Sequence, residues 1–152
     1  MITIDALDHK ILLHLQRDAG IGMEELGQLV GLSRNACWRR IRALEDTGII
    51  TKRTVILDPS KLDLGLSVFI MLRAARHDDK WLKEFTTAVR SLPEVQGAFR
   101  MTGDLDYLVH ARIADMPAYD RLYKRLVARV QLADVSASFV MEEIKNTTEL
   151  PV

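Results

Sequence analysis

Two amphipathic stretches separated only by Gly31-Leu32-Ser33 constrain this chain more than any other feature. Before the turn, Met23 to Val30 places Met23, Leu26, Leu29 and Val30 at helical spacing, which predicts a short helix with those side chains inward. After it, Ser33 to Asp46 reads as a second helix. Its Cys37, Ile41 and Leu44 fall four and three residues apart and form one narrow apolar stripe. Gly31 can take the left-handed backbone that ends a helix, and Leu32 can plug a core. Ser33 can cap the following helix by accepting a free first-turn N–H. A helix, a tight Gly-containing turn and a capped helix together make a helix-turn-helix.

The second helix has a face of opposite character. Arg34, Asn35, Trp38, Arg39 and Arg42 lie away from the apolar stripe. Arginine and asparagine read guanine and adenine edges in a major groove, and Arg34 and Asn35 sit in the first turn, where a recognition helix enters it. The whole chain is neutral, with 21 basic and 21 acidic side chains, so attraction to a polyanion must be local. It is local here: Ser33 to Arg53 holds six basic residues (Arg34, Arg39, Arg40, Arg42, Lys52, Arg53) against Glu45 and Asp46. A plain solvated helix is the other reading of this stretch alone. The preceding helix and turn favour DNA. Trp38 can pack against a DNA sugar or against the adjoining helix.

Asp5 to Asp18 reads as a helix ahead of these two, with Leu7, Ile11, Leu12 and Leu15 on its apolar face and Asp5 and Asp8 at its positive end. Gly27 falls mid-helix, where glycine costs roughly 1 kcal/mol against alanine, and its missing side chain would admit another helix closely. Gly48 stops the third helix. Ile49 to Leu57 is β-branched and predicts a strand or small wing, with Lys52 and Arg53 placed to touch phosphates. Such contacts fix register and carry no sequence information. Asp58-Pro59-Ser60-Lys61 marks the junction between a domain at 1–58 and another at 59–152.

The second half alternates strand and helix patterns. Strands are expected at Leu66–Ala75, Val95–Thr102, Asp106–Ile113 and Val135–Ile144, and helices at Asp79–Leu92 and from Asp115 through Val130. The order β-α-β-β-α-β implies a ferredoxin-like layer of two helices on a four-stranded antiparallel sheet. The expected fold class is therefore α+β, a winged helix-turn-helix followed by a ferredoxin-like domain. Both faces of several strands are apolar, since Phe69 and Met71 oppose Val68 and Ile70, and Phe99 and Met101 oppose Ala98. The face without helices then needs cover, which predicts dimerisation through it.

Other chemistries find little support. A lone cysteine, Cys37, makes neither an internal disulfide nor a Cys-rich zinc site, and its place on the apolar stripe reads as core. The start Met-Ile-Thr-Ile-Asp lacks a signal peptide's basic and apolar segments, and no apolar run is long enough to cross a bilayer, so a cytoplasmic location is expected. His9, His14, His77 and His110 are scattered. Asp104 and Asp106 have no accompanying nucleophile or oriented base for an enzyme, and Arg121, Lys124, Arg125 and Arg129 read as the solvent face of the last helix.

The ordered motifs resemble the leucine-responsive regulatory protein/AsnC (Lrp/AsnC) family of transcription regulators over essentially the whole chain. They are Leu7-Asp8 with Ile11-Leu12, Val30-Gly31-Leu32-Ser33, Cys37-Trp38-Arg39-Arg40-Ile41, and Leu44-Glu45 before Gly48-Ile49-Ile50. Then come Thr102-Gly103-Asp104-Leu105-Asp106-Tyr107-Leu108 and the tail Glu143-Ile144-Lys145-Asn146-Thr147-Thr148. Gly27 stands where the family leads one to expect alanine. Trp38-Arg39-Arg40, Trp81, Phe99-Arg100-Met101 and the Tyr119–Val127 stretch look most similar to cysteine-responsive members of the DecR type.

The resemblance implies a sequence-specific DNA-binding regulator, bacterial or archaeal in kind and not an enzyme. It would contact a roughly palindromic operator through Ser33, Arg34, Asn35, Trp38, Arg39, Arg42, Lys52 and Arg53. It implies no cofactor, but a free amino acid, cysteine or another small one, bound at a subunit interface by Met101, Gly103, Asp104, Asp106 and Tyr107. The chemistry suits that loop: a carboxylate for the ligand's ammonium and a glycine that lets backbone N–H groups approach its carboxylate. Read by residues alone, the same loop is a hairpin turn in which Gly and Asp serve geometry. Dimers assembling to octamers are implied as well. The runner-up is a siroheme-decarboxylase-like enzyme on the same architecture, which an intact basic helix disfavours. A ligand-binding regulator of another protein would leave the basic patch without purpose.

Overall fold

The structure, a computed structural model, describes residues 4–152. Its elements are α1 (Ala6–Arg17), α2 (Met23–Val30), α3 (Arg34–Asp46), a 3₁₀ turn (Pro59–Leu62), β1 (Leu66–Ala74), α4 (Asp79–Arg90), β2 (Val95–Arg100), β3 (Tyr107–Ile113), α5 (Met116–Val127) and β4 (Leu132–Phe139). They fall into two compact units, one running to Ile56 and including Lys145–Val152, the other Leu57–Ile144.

In the first unit, local side chains start the helices. Asp5 accepts the N–H groups of Leu7 and Asp8, and Asp8 accepts the N–H of Asp5, a capping box for α1. Gly31 ends α2 at φ 76°, and Ser33 caps α3 through Ala36 N–H at 3.3 Å. Ile11, Leu12, Leu26, Val30, Cys37, Ile41 and Leu44 are buried together, with Leu32, Ile49 and Ile50 against them. Burial pushes the Cys37 thiol above its ordinary value, so it stays neutral, as a core residue should.

Three expectations for this unit change. Leu29 points out of the core at 53% exposure, and Gly27 is buried in its stead. The α2 stripe runs through Leu26, Gly27 and Val30, and Leu29 lies to one side of it. The closest backbone to Gly27 is that of the turn at Leu32, followed by the first residue of α3, Arg34. No strand forms over 49–57: Ile49 and Ile50 pack on the core, whereas Val55, Ile56 and Leu57 are exposed. A single extended run has no ladder without a second strand, and none pairs with it among the described residues.

The tail is the third change. Lys145–Val152, expected in the second domain, lies with the first unit. The Gln16 side chain accepts from Leu150 N–H at 2.6 Å and donates to Leu150 C=O at 3.2 Å, as a neighbouring strand would. Arg17 meets Glu149 at 3.3 Å.

In the second unit the strand order is β2-β3-β1-β4, all antiparallel, as the β-α-β-β-α-β order requires. Asp78 caps α4 and Asp115 caps α5. Helices and sheet enclose Val68, Ile70, Leu72, Trp81, Phe85, Tyr107, Val109, Leu122 and Leu126. Each such side chain contributes roughly 1.5–3 kcal/mol by leaving water. The last strand ends at Phe139, short of the expected Ile144. Its partner β1 starts at Leu66, and Val68 already faces Phe139. The remaining face carries Phe69, Met71, Leu108, His110 and Phe99, with Phe99 53% exposed. There Phe69 stacks on His110 at 4.6 Å, and His110 Nε2 lies 2.8 Å from Ser67 Oγ. Burial, with Arg112 nearby, pushes the His110 pKa down.

Candidate functional site

The basic face of α3 is presented as its periodicity requires. Cys37, Ile41 and Leu44 are buried, while Arg34, Asn35, Trp38, Arg39 and Arg42 are exposed, Trp38 at 58%. The side chains of Arg34, Asn35, Trp38 and Arg39 make no hydrogen bond or ion pair to another described residue. Ser33 is occupied as the cap. Lys52 and Arg53 lie on the extended segment after α3, both exposed. Glu24, Gln28, Ser33, Arg34 and Asn35 line a concave surface around the turn.

Not every arginine of the patch is free. Arg40 points to α1, its Nη1 2.8 Å from both Asp5 Oδ2 and Asp8 Oδ1. The hydrogen bonds that Arg40 donates to Asp8 and Asp5 raise its pKa, and the Asp8 N–H, then the guanidinium, holds Asp5 below the ordinary carboxylate value. Glu45 meets both Arg42 (3.5 Å) and Arg53 (3.1 Å). Neither role is visible in the sequence, since Arg40 differs from its neighbours only in the helical angle at which it leaves α3. For Asp5 the sign follows directly. Its folded pKa is depressed, so the stabilisation is complete above its unfolded pKa and is lost as pH falls through the folded one. We expect Asp5→Asn to flatten the acid limb of the first unit's pH–stability profile, read by helical circular dichroism below pH ~5. An acid limb identical to wild type would remove Asp5 from it.

The second candidate lies between β2 and β3. Gly103 has φ 105°, and Met101 N–H donates to Asp106 C=O at 2.8 Å, closing the loop. Met101, Gly103 and Asp104 are exposed. Asp104 makes no hydrogen bond or ion pair among the described residues. Asp106 is engaged: its Oδ2 accepts Ala74 N–H at 2.8 Å, and its own N–H donates to Leu72 C=O at 3.0 Å. Tyr107 is buried under the helices, its ring 4.5 Å from Phe85 and 5.2 Å from Trp81. The loop therefore gathers five expected residues but turns them differently. Trp81, which also donates to Gln131 C=O at 2.6 Å, anchors this end of the sheet.

A capped helix whose Arg34, Asn35, Trp38 and Arg39 are unpaired among the described residues stands in one unit, and a βαββαβ sheet with an exposed glycine-aspartate loop forms the other. Comparison with known proteins agrees on both. Residues 4–51 match the family described as winged helix-turn-helix DNA-binding, and residues 67–150 match the Lrp/AsnC ligand binding domain. The chain belongs to the Lrp/AsnC family.

Within the Lrp/AsnC family it is 51% identical over 149 residues to the glutamate uptake regulatory protein of Zymomonas mobilis, covering 98% of this chain and 91% of that one. It is 43% identical over 150 residues to the DNA-binding transcriptional activator DecR of Escherichia coli, covering 98% and 99%. DecR is thus a relative, though the Zymomonas protein shares more identical residues. A Neisseria meningitidis transcriptional regulator solved with L-methionine superposes with a TM-score of 0.94 at 38% identity, covering 98% of this chain and 97% of that one. The protein is accordingly an Lrp/AsnC-type DNA-binding transcription regulator with a ligand-binding domain, and not an enzyme. No described helix is long and apolar enough to cross a membrane.

Proposed function

We propose that α3 enters the major groove and that a free amino acid, bound between subunits at the Gly103–Tyr107 loop, sets how well it does so. The observation that carries this reading is the unpaired Arg34 and Asn35 at the capped start of α3. Arg34 and Asn35 read bases. Trp38, Arg39 and Arg42 lie along the groove wall, and Ser33 with Lys52 and Arg53 takes phosphates. Association through the exposed apolar sheet face, centred on Phe69 and Phe99, covers it and presents two recognition helices to a roughly palindromic site. Dimers then assemble further, as octamers, on cytoplasmic DNA. Asp104, exposed and unengaged, pairs the ligand's ammonium, and Gly103 brings N–H groups to its carboxylate. Asp106 and Tyr107 hold the loop from beneath, and Met101 borders it. Cysteine or another small amino acid is the first ligand to try, and methionine follows from the Neisseria complex. The ligand acts by binding one assembly or DNA-competent state better than another, with a coupling of roughly 1–3 kcal/mol.

Gel shifts on the chain's own upstream DNA, with and without each amino acid, test this. Arg34→Ala should weaken binding by about 1–3 kcal/mol and relax preference at one base pair. Unchanged operator selectivity would remove Arg34 from base readout, and a mobility that no amino acid alters would remove the effector.

A further inference from the structure

We infer that Glu45, an acid on the basic face, is a positioning residue for DNA recognition that arranges Arg42 and Arg53 as one fixed phosphate clamp. The inference rests on α3 being the DNA-reading helix and goes beyond it in assigning an acidic residue to that surface. Glu45 lies one residue from the end of α3 with its side chain 27% exposed, and it uses both oxygens. Oε2 faces Arg42 Nη1 at 3.5 Å, one turn back on the helix, and Oε1 accepts from Arg53 Nη2 at 3.1 Å. A guanidinium has five N–H donors, so each arginine keeps most of its donors for another acceptor.

The second arginine makes this more than a surface ion pair. Arg53 sits on the stretch after Ile50, which has no strand or helix up to the 3₁₀ turn. Ile50 N–H still reaches Leu44 C=O, but across 51–57 the described hydrogen bond to α3 is that of Arg53 with Glu45. Without it Arg53 would sample many positions, and ordering it on DNA would cost affinity. With it, two cations stand at one place relative to Arg34 and Asn35. A phosphate then fits when the bases are in register. Negative charge on this face works against random duplex, so the same carboxylate raises the specificity ratio from both sides.

Asp46 supplies the control. It is the next residue, exposed, with the same charge and no ion pair among the described residues. The experiment compares wild type, Glu45→Gln and Asp46→Asn as full chains. Each is tested on a duplex selected from a random pool by the wild type and on a scrambled duplex, across a salt series. Glu45→Gln should bind the selected duplex about 3- to 10-fold more weakly, with a log K against log salt slope shallower by about one to two, and the scrambled duplex no more weakly. Asp46→Asn should tighten both. In an Arg42→Ala/Arg53→Ala background, Glu45→Gln should add no further loss. A parallel change of both affinities in Glu45→Gln, in either direction, overturns the proposal, as does a response equal to that of Asp46→Asn. A wild type that selects no duplex at all would instead sink the DNA-reading assignment of α3.

Discussion

Gly27→Val should unfold the N-terminal helical unit and abolish DNA binding. A Cβ at Gly27 would stand 2.5 Å from the carbonyl oxygen of Leu32, well inside contact distance, and the obstacle is backbone. The same turn is tied back to α2 through the Leu32 N–H, which donates to Gly27 C=O at 2.8 Å. Opening room for a side chain therefore strains the bond that closes the helix and shifts Ser33, the cap of α3. Alanine already places that Cβ, so the turn backbone must shift, at about 1–3 kcal/mol of overpacking set against roughly 1 kcal/mol gained in helix propensity. Gly27→Ala should therefore cost up to about 2 kcal/mol, because the atom in its way is backbone. Valine adds two methyl groups in the same place and should cost about 3 kcal/mol or more. A unit of this size has only about 5 kcal/mol or less to lose. Thermal melts followed by far-UV circular dichroism, with gel shifts alongside, read both outcomes. Wild-type melting and operator affinity in Gly27→Val would show that the turn yields freely.

Replacing the two loop aspartates one at a time should separate stability from response. Asp106→Ala removes the acceptor of the Ala74 N–H, which lies where the β1–β4 register shifts between Arg73 and Ala74. An amide left without a partner in a half-buried place costs about 1–3 kcal/mol. Asp106→Asn keeps an oxygen in position and should recover most of that loss. Asp104→Ala breaks no bond among the described residues and should leave melting within about 0.5 kcal/mol of wild type while abolishing the amino-acid response. Melting of the second unit and ligand-dependent gel shifts distinguish the two. An Asp104→Ala protein that still responds would move the ammonium's partner elsewhere. An Asp106→Ala protein with unchanged melting would mean the Ala74 amide finds water instead.

Much of this was legible locally. Ser33 caps the helix that follows, as a short polar side chain before an apolar-periodic run should, whereas the caps Asp5 and Asp78 appear only in the structure. The 3.6-residue stripe at Cys37, Ile41 and Leu44 dictated which side of α3 is exposed. The order of strands and helices in the second half was enough to anticipate a four-stranded antiparallel sheet. For the second candidate, the sequence located the loop but not the duties within it. Gly103 and Asp104 are open, whereas Tyr107 belongs to the core.

By itself, then, the sequence determined where elements start, which faces are apolar and where the basic surface lies, since caps and stripes act over a few neighbouring residues. Only the tertiary structure decided that 49–57 stays unpaired, that the tail returns to Gln16, that Arg40 is bound to α1, and that Asp106 is held by Ala74. Those outcomes depend on which donor meets which acceptor across a long span of chain. A carboxylate carries the same letter whether it faces solvent or a strand's orphan amide.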